Sequence, residues 1–178
     1  MKLSEFVREI ENARVVGEDA EIASLCTDSR VAGKGDLFFC LRGTHVDSHR
    51  FIDEACKKGA SAVVSEQETE APSQLIVPDG RVAMARISAA FYGHPERKMK
   101  IVGVTGTNGK TTVCHMIYNI MKAAGKKAGI IGTLGAEYGT RTFAPVLTTP
   151  DPVFLFSVLS DMAKDGVEVV AMEVSAHA

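Results

Sequence analysis

The residues Val104-Thr-Gly-Thr-Asn-Gly-Lys-Thr-Thr112 have the composition of a phosphate cradle. They follow an apolar run, Ile101-Val-Gly-Val104, and precede a helical pattern from Thr112 to Ala124. A glycine-rich turn between a buried strand and a helix N-terminus aims backbone N–H groups at an anion, and the helix dipole adds partial positive charge. Lys110 supplies a full charge, and Thr111 carries a hydroxyl where such loops hold the magnesium of a nucleotide. The general P-loop pattern places a glycine five positions before Gly109, and here that position is Val104. What remains, Gly106-x-x-Gly109-Lys110-Thr111, is a shorter string. Its glycines could serve only tight packing. The flanking strand and helix, with Lys-Thr-Thr at the mouth, favour a nucleoside triphosphate site instead.

Glu173 ends another apolar run, Val167-Glu-Val-Val-Ala-Met172. A carboxylate at a strand end, in the sheet that carries a P-loop, can bind the magnesium that bridges nucleotide phosphates. Without the loop it would read as an ordinary solvent-facing residue. Ser175 and His177 follow in the strand-end turn, placed either to contact substrate or simply to face water. Thr148-Thr149-Pro150 precedes Asp151-Pro152, a helix cap and a first-turn proline. Adjacent hydroxyls near a helix start could hold an anionic substrate, although turn chemistry alone also accounts for the string. Cys26-Thr-Asp-Ser-Arg30 and Gly43-Thr-His-Val-Asp-Ser-His49 are polar loops, and spacing alone favours ordinary turns there.

These groups need elements to position them, and the pattern is α/β. In residues 1–93, Ser4 can cap a short helix through Ile10, and Asp36–Leu41 reads as a compact apolar strand. Asp47 or Ser48 can cap a helix with Phe51, Ile52, Ala55 and Cys56 on one face, ending at Gly59. Ser61–Ser65 and Gln74–Val77 read as short strands, and Asp79 caps a helix from about Arg81 to Tyr92. Residues 94–100 are polar, contain Pro95, and read as a linker. In residues 101–178 the P-loop strand and helix lead to a strand at Lys127–Ile131, a helix from Asp151-Pro152 to about Lys164, and the strand ending before Glu173. That order predicts a parallel sheet. With three evident strands it is small for an open sheet, so the chain is expected to be part of a longer protein.

Composition excludes several classes. A formal net charge of −2 gives no basis for bulk binding to nucleic acid or anionic membrane. No apolar run approaches the ~18 residues of a membrane span, and charge throughout the N-terminal residues argues against a signal peptide. The four cysteines lack metal-type spacing, and Cys40 and Cys114 read as buried hydrophobes. The expected compartment is cytoplasmic.

Together the strings resemble the Mur ligases, the ATP-dependent amide-forming enzymes of peptidoglycan synthesis. The resemblance runs the whole length, through Thr27-Asp-Ser-Arg30, Gly35-Asp-Leu-Phe38, Gly43-Thr-His-Val-Asp47, Phe91-Tyr-Gly-His-Pro95, Thr105 to Thr112, Thr148-Thr-Pro150 and Glu173-Val-Ser175. Within the family, Thr-Thr-Pro with Glu-Val-Ser-x-His points to the member that adds the third amino acid. The member adding D-alanyl-D-alanine, and a non-catalytic P-loop module, are the alternatives.

The resemblance implies a small N-terminal α/β domain at 1–93 that binds a UDP-sugar, then the first part of a P-loop parallel-sheet central domain. It assigns Thr27 and Ser29 to uracil and ribose, and Thr44, His45 and Val46 to the diphosphate. It assigns Gly106, Thr107, Asn108, Gly109, Lys110, Thr111 and Thr112 to ATP, with Lys110 catalytic. It assigns Thr111 and Glu173 to Mg2+, and Thr148, Thr149 and Ser175 to the muramoyl-dipeptide. The family's second serine after Ser175 is here Ala176. The implied substrates are UDP-MurNAc-L-Ala-D-Glu and a free amino acid, meso-diaminopimelate or L-lysine. In the family, further central-domain residues and a C-terminal domain complete the site, so these residues alone are not expected to catalyse ligation.

Overall fold

The computed structural model describes residues 1–41, 47–144 and 148–175. The chain divides into two compact units, Met1–Phe91 and Tyr92–Ala178. Among the described residues no helix is long and apolar enough to cross a membrane.

The first unit is a sheet with strand order β1-β5-β4-β3-β2, formed by β1 (Arg14–Gly17), β2 (Ser24–Cys26), β3 (Asp36–Phe39), β4 (Ala62–Ser65) and β5 (Ser73–Ile76). β2 to β5 pair in parallel and β1 closes one edge antiparallel to β5. Helix α1 (Ile52–Lys57) lies between β3 and β4, and α2 (Gly80–Phe91) follows β5. Strand β4 is buried at every position, as expected for a strand covered on both faces. Asp79 does cap α2, accepting from the backbone N–H groups of Arg81 and Val82 at 2.9 Å. The expected helix at Ser4–Ile10 is instead a 3-10 helix at Leu3–Glu9. Ser4 does not cap it; its N–H and hydroxyl both donate to Asp19. Strands β1 and β2 escape a pattern search because they are short and only partly buried, without the continuous apolar run of β3 and β4.

The second unit starts with a 3-10 helix at Pro95–Lys98, then β6 (Lys100–Val104) and α3 (Lys110–Ala123). Residues 94–100, read as a linker, thus contribute a helical turn and the first residue of a strand to this unit. The chain continues through β7 (Ala128–Gly132), β8 (Gly135–Tyr138), β9 (Arg141–Phe143), α4 (Pro152–Lys164) and β10 (Val169–Glu173). The order across the sheet is β6-β10-β7-β8-β9, so the last strand in sequence lies between the first two. β6, β10 and β7 are parallel, whereas β8 and β9 add an antiparallel ribbon at the β7 edge. The ribbon turns on two residues, Gly139-Thr140, between the paired Tyr138 and Arg141. That glycine-led two-residue turn was its sequence signal.

Helices cover the two faces of the parallel strands. Ile130 and Ala171 pack with Cys114 and Tyr118 of α3, while Ile131 and Val170 pack with Val158, Leu159 and Met162 of α4. Asp151 caps α4 through the Phe154 N–H at 3.1 Å, with Pro152 in the first turn. Helix α3 begins at Lys110, two residues earlier than the apolar pattern suggests, because Gly109 supplies the non-helical cap conformation. A stripe on α3, Val113, Met116 and Ile120, stays 42%, 57% and 63% exposed.

These two environments give different mutational costs. Met162 is fully buried, so Met162→Ala should cost about 2–5 kcal/mol, whereas Ile120→Ala should stay within about 0.5 kcal/mol. Urea unfolding of the chain measures both. Equal losses would contradict the assigned core.

Candidate functional site

The turn of the P-loop spans 105–109, between the carboxyl end of β6 and the start of α3, whose first residues Lys110, Thr111 and Thr112 complete the motif. Gly106 has φ +140° and Gly109 φ +80°, regions that L side chains rarely adopt. Around Gly109 nothing lies within 4 Å of where a Cβ would stand, and Gly106 has only the Asn108 carbonyl oxygen at 3.7 Å. Tight packing therefore does not account for these glycines; backbone conformation does. Gly106, Thr107, Asn108, Gly109 and Thr112 are exposed, and Lys110 and Thr111 are half-buried in the first turn of α3. The Lys110 ammonium reaches back over the loop to the Gly106 carbonyl oxygen at 2.8 Å.

Glu173 faces this loop from the neighbouring strand, where its register partner is Val104. It is 2% exposed. One carboxylate oxygen accepts the Thr133 N–H at 3.0 Å. The other accepts the Thr111 hydroxyl at 3.0 Å and the Thr133 hydroxyl at 3.2 Å. No ion pair to Glu173 is present among the described residues. The carboxylate can lie this way because the residue beneath it is Gly132. A Cβ at Gly132 would meet its Oε1 at 2.2 Å. Below the pair, Cys114 is buried in α3, its thiol pushed up first by burial and then by the charge of Glu173.

Thr149 ties the segment before α4 to the end of β10. Its hydroxyl donates to the Glu173 carbonyl oxygen at 3.2 Å and accepts the Ser175 N–H at 2.9 Å, and Ser175 Oγ lies 3.3 Å away. Thr148 Oγ1 stands 3.2 Å from Thr133 Oγ1. Thus Lys110, Thr111, Thr148, Thr149, Glu173 and Ser175 are gathered at the carboxyl ends of the parallel strands, where open α/β sheets bind ligands. Ala176 and His177 lie outside the described residues. Thr133 was missed by sequence reasoning; its signal was a hydroxyl residue directly after a buried parallel strand.

Could this site hold a divalent cation? Among the described residues no group of three or more His, Cys, Asp or Glu side chains is placed to hold one. A protein cage is therefore not what these residues build. One buried carboxylate beside a hydroxyl is a hard oxygen donor set, and it suits magnesium, which is commonly held by one or two carboxylates plus substrate phosphates.

In the first unit, Thr27 is exposed and Ser29 is 6% exposed. The Ser29 hydroxyl donates inward to Glu54 of α1 at 3.1 Å. Asp28 holds Arg30 through its backbone N–H at 2.9 Å and its guanidinium at 2.7 Å. Lys58 donates to the Ser29 and Arg30 carbonyl oxygens, each at 3.1 Å. The loop is therefore braced by its own polar groups. Thr44, His45 and Val46 lie outside the described residues. Cys40, fully buried in this unit, has its thiol pushed up to about 12 by burial, which leaves it unreactive at neutral pH.

Comparisons with known proteins agree on one family. Residues 21–98 match the family model described as Mur ligase family, catalytic domain, and residues 104–178 match Mur ligase middle domain. A curated relative named UDP-N-acetylmuramoyl-L-alanyl-D-glutamate–2,6-diaminopimelate ligase, from Geobacillus thermodenitrificans (strain NG80-2), is 45% identical over 91% of this chain and 33% of its own length. A solved structure titled with the same activity superposes with TM-score 0.78 at 26% identity, covering 99% of this chain and 36% of that one. A MurF ligase from Thermotoga maritima, solved in complex with ADP, gives TM-score 0.60 at 27% identity over 86% of this chain and 32% of its own. The chain thus spans about a third of the length of the curated relatives it matches.

Two outcomes follow from the site geometry. Gly132→Ala should displace the Glu173 carboxylate and cost about 1–3 kcal/mol in urea unfolding; unchanged stability would mean that the close approach is absent. The Arg30 guanidinium and N–H hold the Asp28 carboxyl down at about 2. A depressed carboxyl stabilises the fold above its unfolded value, near 4, and loses that effect as pH falls through about 2. Solvent screening keeps the effect small, since Arg30 is 81% exposed. Asp28→Asn should flatten the acid limb of the stability curve between about pH 4 and 2; an identical limb would count against the pairing.

Proposed function

The chain belongs to the Mur ligase family, and from that premise we propose that it forms part of an ATP-dependent ligase acting in the cytoplasm on a peptidoglycan precursor. The proposed reaction joins a third amino acid to the D-Glu side-chain carboxylate of UDP-MurNAc-L-Ala-D-Glu. Diaminopimelate is the proposed amino acid, from the names of the relatives. One observation carries the reading: the buried carboxylate of Glu173 hydrogen-bonds the P-loop residue Thr111, at the strand ends where the Thr148–Thr149 segment and Ser175 also meet.

A carboxylate is a poor acylating agent. In the proposed chemistry its oxygen attacks the γ-phosphorus of ATP, expelling ADP and forming an acyl phosphate. The amine then attacks the acyl carbon, the amide bond forms, phosphate leaves, and the amine loses a proton. No nucleophilic side chain is needed, so catalysis rests on positioning and charge stabilisation. The P-loop N–H groups and the start of α3 would seat the nucleotide phosphates. Lys110 would swing from the Gly106 carbonyl oxygen to offset charge on the transferred phosphoryl group. Thr111 and Glu173 would hold Mg2+, which when bound would supply positive charge to offset that of the nucleotide phosphates.

Thr148, Thr149 and Ser175 would meet the muramoyl-dipeptide. Because the Thr149 hydroxyl already bridges Glu173 and Ser175, its part would be to shape that site as much as to touch the ligand. In residues 1–93, the proposed UDP-sugar domain, Thr27 is the exposed candidate for uracil. Ser29, turned inward to Glu54, would act by bracing the loop. The diphosphate contacts fall to Thr44, His45 and Val46.

Titration of the 178-residue chain with ATP, ADP and inorganic phosphate tests this reading. The expected outcome is magnesium-assisted nucleotide binding that Lys110→Ala weakens at least about tenfold, with no phosphate release when UDP-MurNAc-L-Ala-D-Glu and diaminopimelate are added. Inorganic phosphate binding as tightly as ATP would leave only a general anion site. In the full-length ligase Lys110→Ala should lower kcat by about 10²–10³-fold; turnover retained there would favour a nucleotide-binding module without catalytic use of the loop.

A further inference from the structure

Glu173 is held from both sides, and only one of its holders belongs to the P-loop. Thr111 sits on α3 and reaches one carboxylate oxygen. Thr133, immediately after β7, reaches both: its N–H takes Oε1 at 3.0 Å and its hydroxyl lies 3.2 Å from Oε2. Two donors from one residue, one on each oxygen, fix the plane of a carboxylate where a single donor would leave it free to rotate. The same hydroxyl stands 3.2 Å from Thr148 Oγ1. A threonine has one hydroxyl proton and two lone pairs, so one arrangement satisfies all three groups: Thr148 donates to Thr133, and Thr133 donates to Glu173. That chain runs from the segment before α4, through the end of β7, to the carboxylate at the end of β10.

We propose that Thr133 is a positioning residue for the Glu173 carboxylate, setting it for a divalent cation carried by the nucleotide and linking it to Thr148. The proposal rests on the nucleotide reading above. Thr111 faces two demands when a metal-bearing nucleotide binds, since its oxygen would be a ligand as well as a donor to Glu173. Thr133 carries no such second assignment and remains available to hold Oε2. It is an exposed residue at the mouth of the site, so its hydroxyl is not there to fill the core. Gly132 before it admits the carboxylate, and Thr133 sets its angle. The pair Gly132-Thr133 thus works as a socket for the side chain of Glu173.

Calorimetric titration of the wild-type chain, Thr133→Val and Thr133→Ser with ADP tests this, each in excess magnesium and again in EDTA. Thermal unfolding of each variant checks that the fold is kept, and Thr133→Ala stands in should the valine variant not fold. The wild type should bind ADP more tightly with magnesium. Thr133→Val, which keeps the N–H and loses the hydroxyl, should forfeit about tenfold of that magnesium-dependent affinity. Its affinity in EDTA should match the wild type, and Thr133→Ser should restore the loss. A valine variant equal to wild type in magnesium overturns the proposal while leaving the nucleotide reading intact. A loss of the same size in EDTA also overturns it, because Thr133 would then shape the loop and not the metal-facing carboxylate. Wild-type chain that binds no ADP in either condition defeats the nucleotide reading, and this proposal with it.

Discussion

An almost completely buried carboxylate is the constraint around which the second unit is arranged. Removing an ionised carboxylate from water costs several kcal/mol unless hydrogen bonds and positive charge replace the lost hydration. Glu173, 2% exposed, receives one amide and two hydroxyl donors. Neutral donors offset part of the cost and leave the negative charge itself uncompensated by any ion pair among the described residues. In the proposed reading, the cation carried by the nucleotide would supply the missing positive charge. The donors also dictate geometry: one comes from the start of α3 and two from Thr133 at the end of β7, so α3, β7 and β10 must all be in place before the carboxylate is satisfied.

The sheet order turns this into a long-range condition. β10 is last in sequence but pairs with both β6 and β7. The P-loop and Thr133 stand on opposite sides of Glu173 because that last strand separates their own strands. The Thr111 contact closes over 62 residues and the Thr133 contacts over 40. Contacts of such separation form late and cooperatively, after loop-closure entropy has been met by packing. Ile130 and Ala171 against α3, and Ile131 and Val170 against α4, supply that packing. The packing that holds β10 between β6 and β7 also places the Glu173 carboxylate beside the loop.

How much of this was legible in the sequence depends on where the information resides. Local signals were readable: the Gly106–Thr112 string, the Asp79 and Asp151 caps, and the apolar runs of β4, β7 and β10 all name their own structure, whereas β6, read as a buried strand, is an edge strand with Lys100, Val102 and Gly103 exposed. The placement of Glu173 as a strand-end carboxylate followed from period and position. What escaped was either short without an apolar run or not local. β1, β2, β8 and β9 have three or four residues each and are only partly buried, so they lack the continuous apolar run that made the equally short β3 and β4 readable. Thr133 escaped because its significance lies in a partner 40 residues away. The insertion of β10 between β6 and β7 escaped for the same reason. Residue type identified the carboxylate, while only the strand order identified what holds it.

The two units differ in what their polar loops leave free. In the first, the loop after β2 spends its groups on itself: Asp28 on Arg30, Ser29 on Glu54, Lys58 on two carbonyl oxygens. Such a loop is a braced wall that leaves Thr27, Arg30, Val31 and Lys34 exposed. In the second, Gly106 to Gly109 is exposed and Gly109 stands with no atom within 4 Å of a notional Cβ, so backbone donors stay open to a ligand. Braced wall and open cradle suit different chemistry. Recognition of an unreacting group is served by a surface that does not move, whereas a phosphoryl group changing its charge in the transition state needs donors already aimed and not yet engaged. Lys110 is engaged, but by an exchangeable partner. Its ammonium rests on the Gly106 carbonyl oxygen at 2.8 Å, a neutral acceptor that a phosphate oxygen carrying full charge would outcompete.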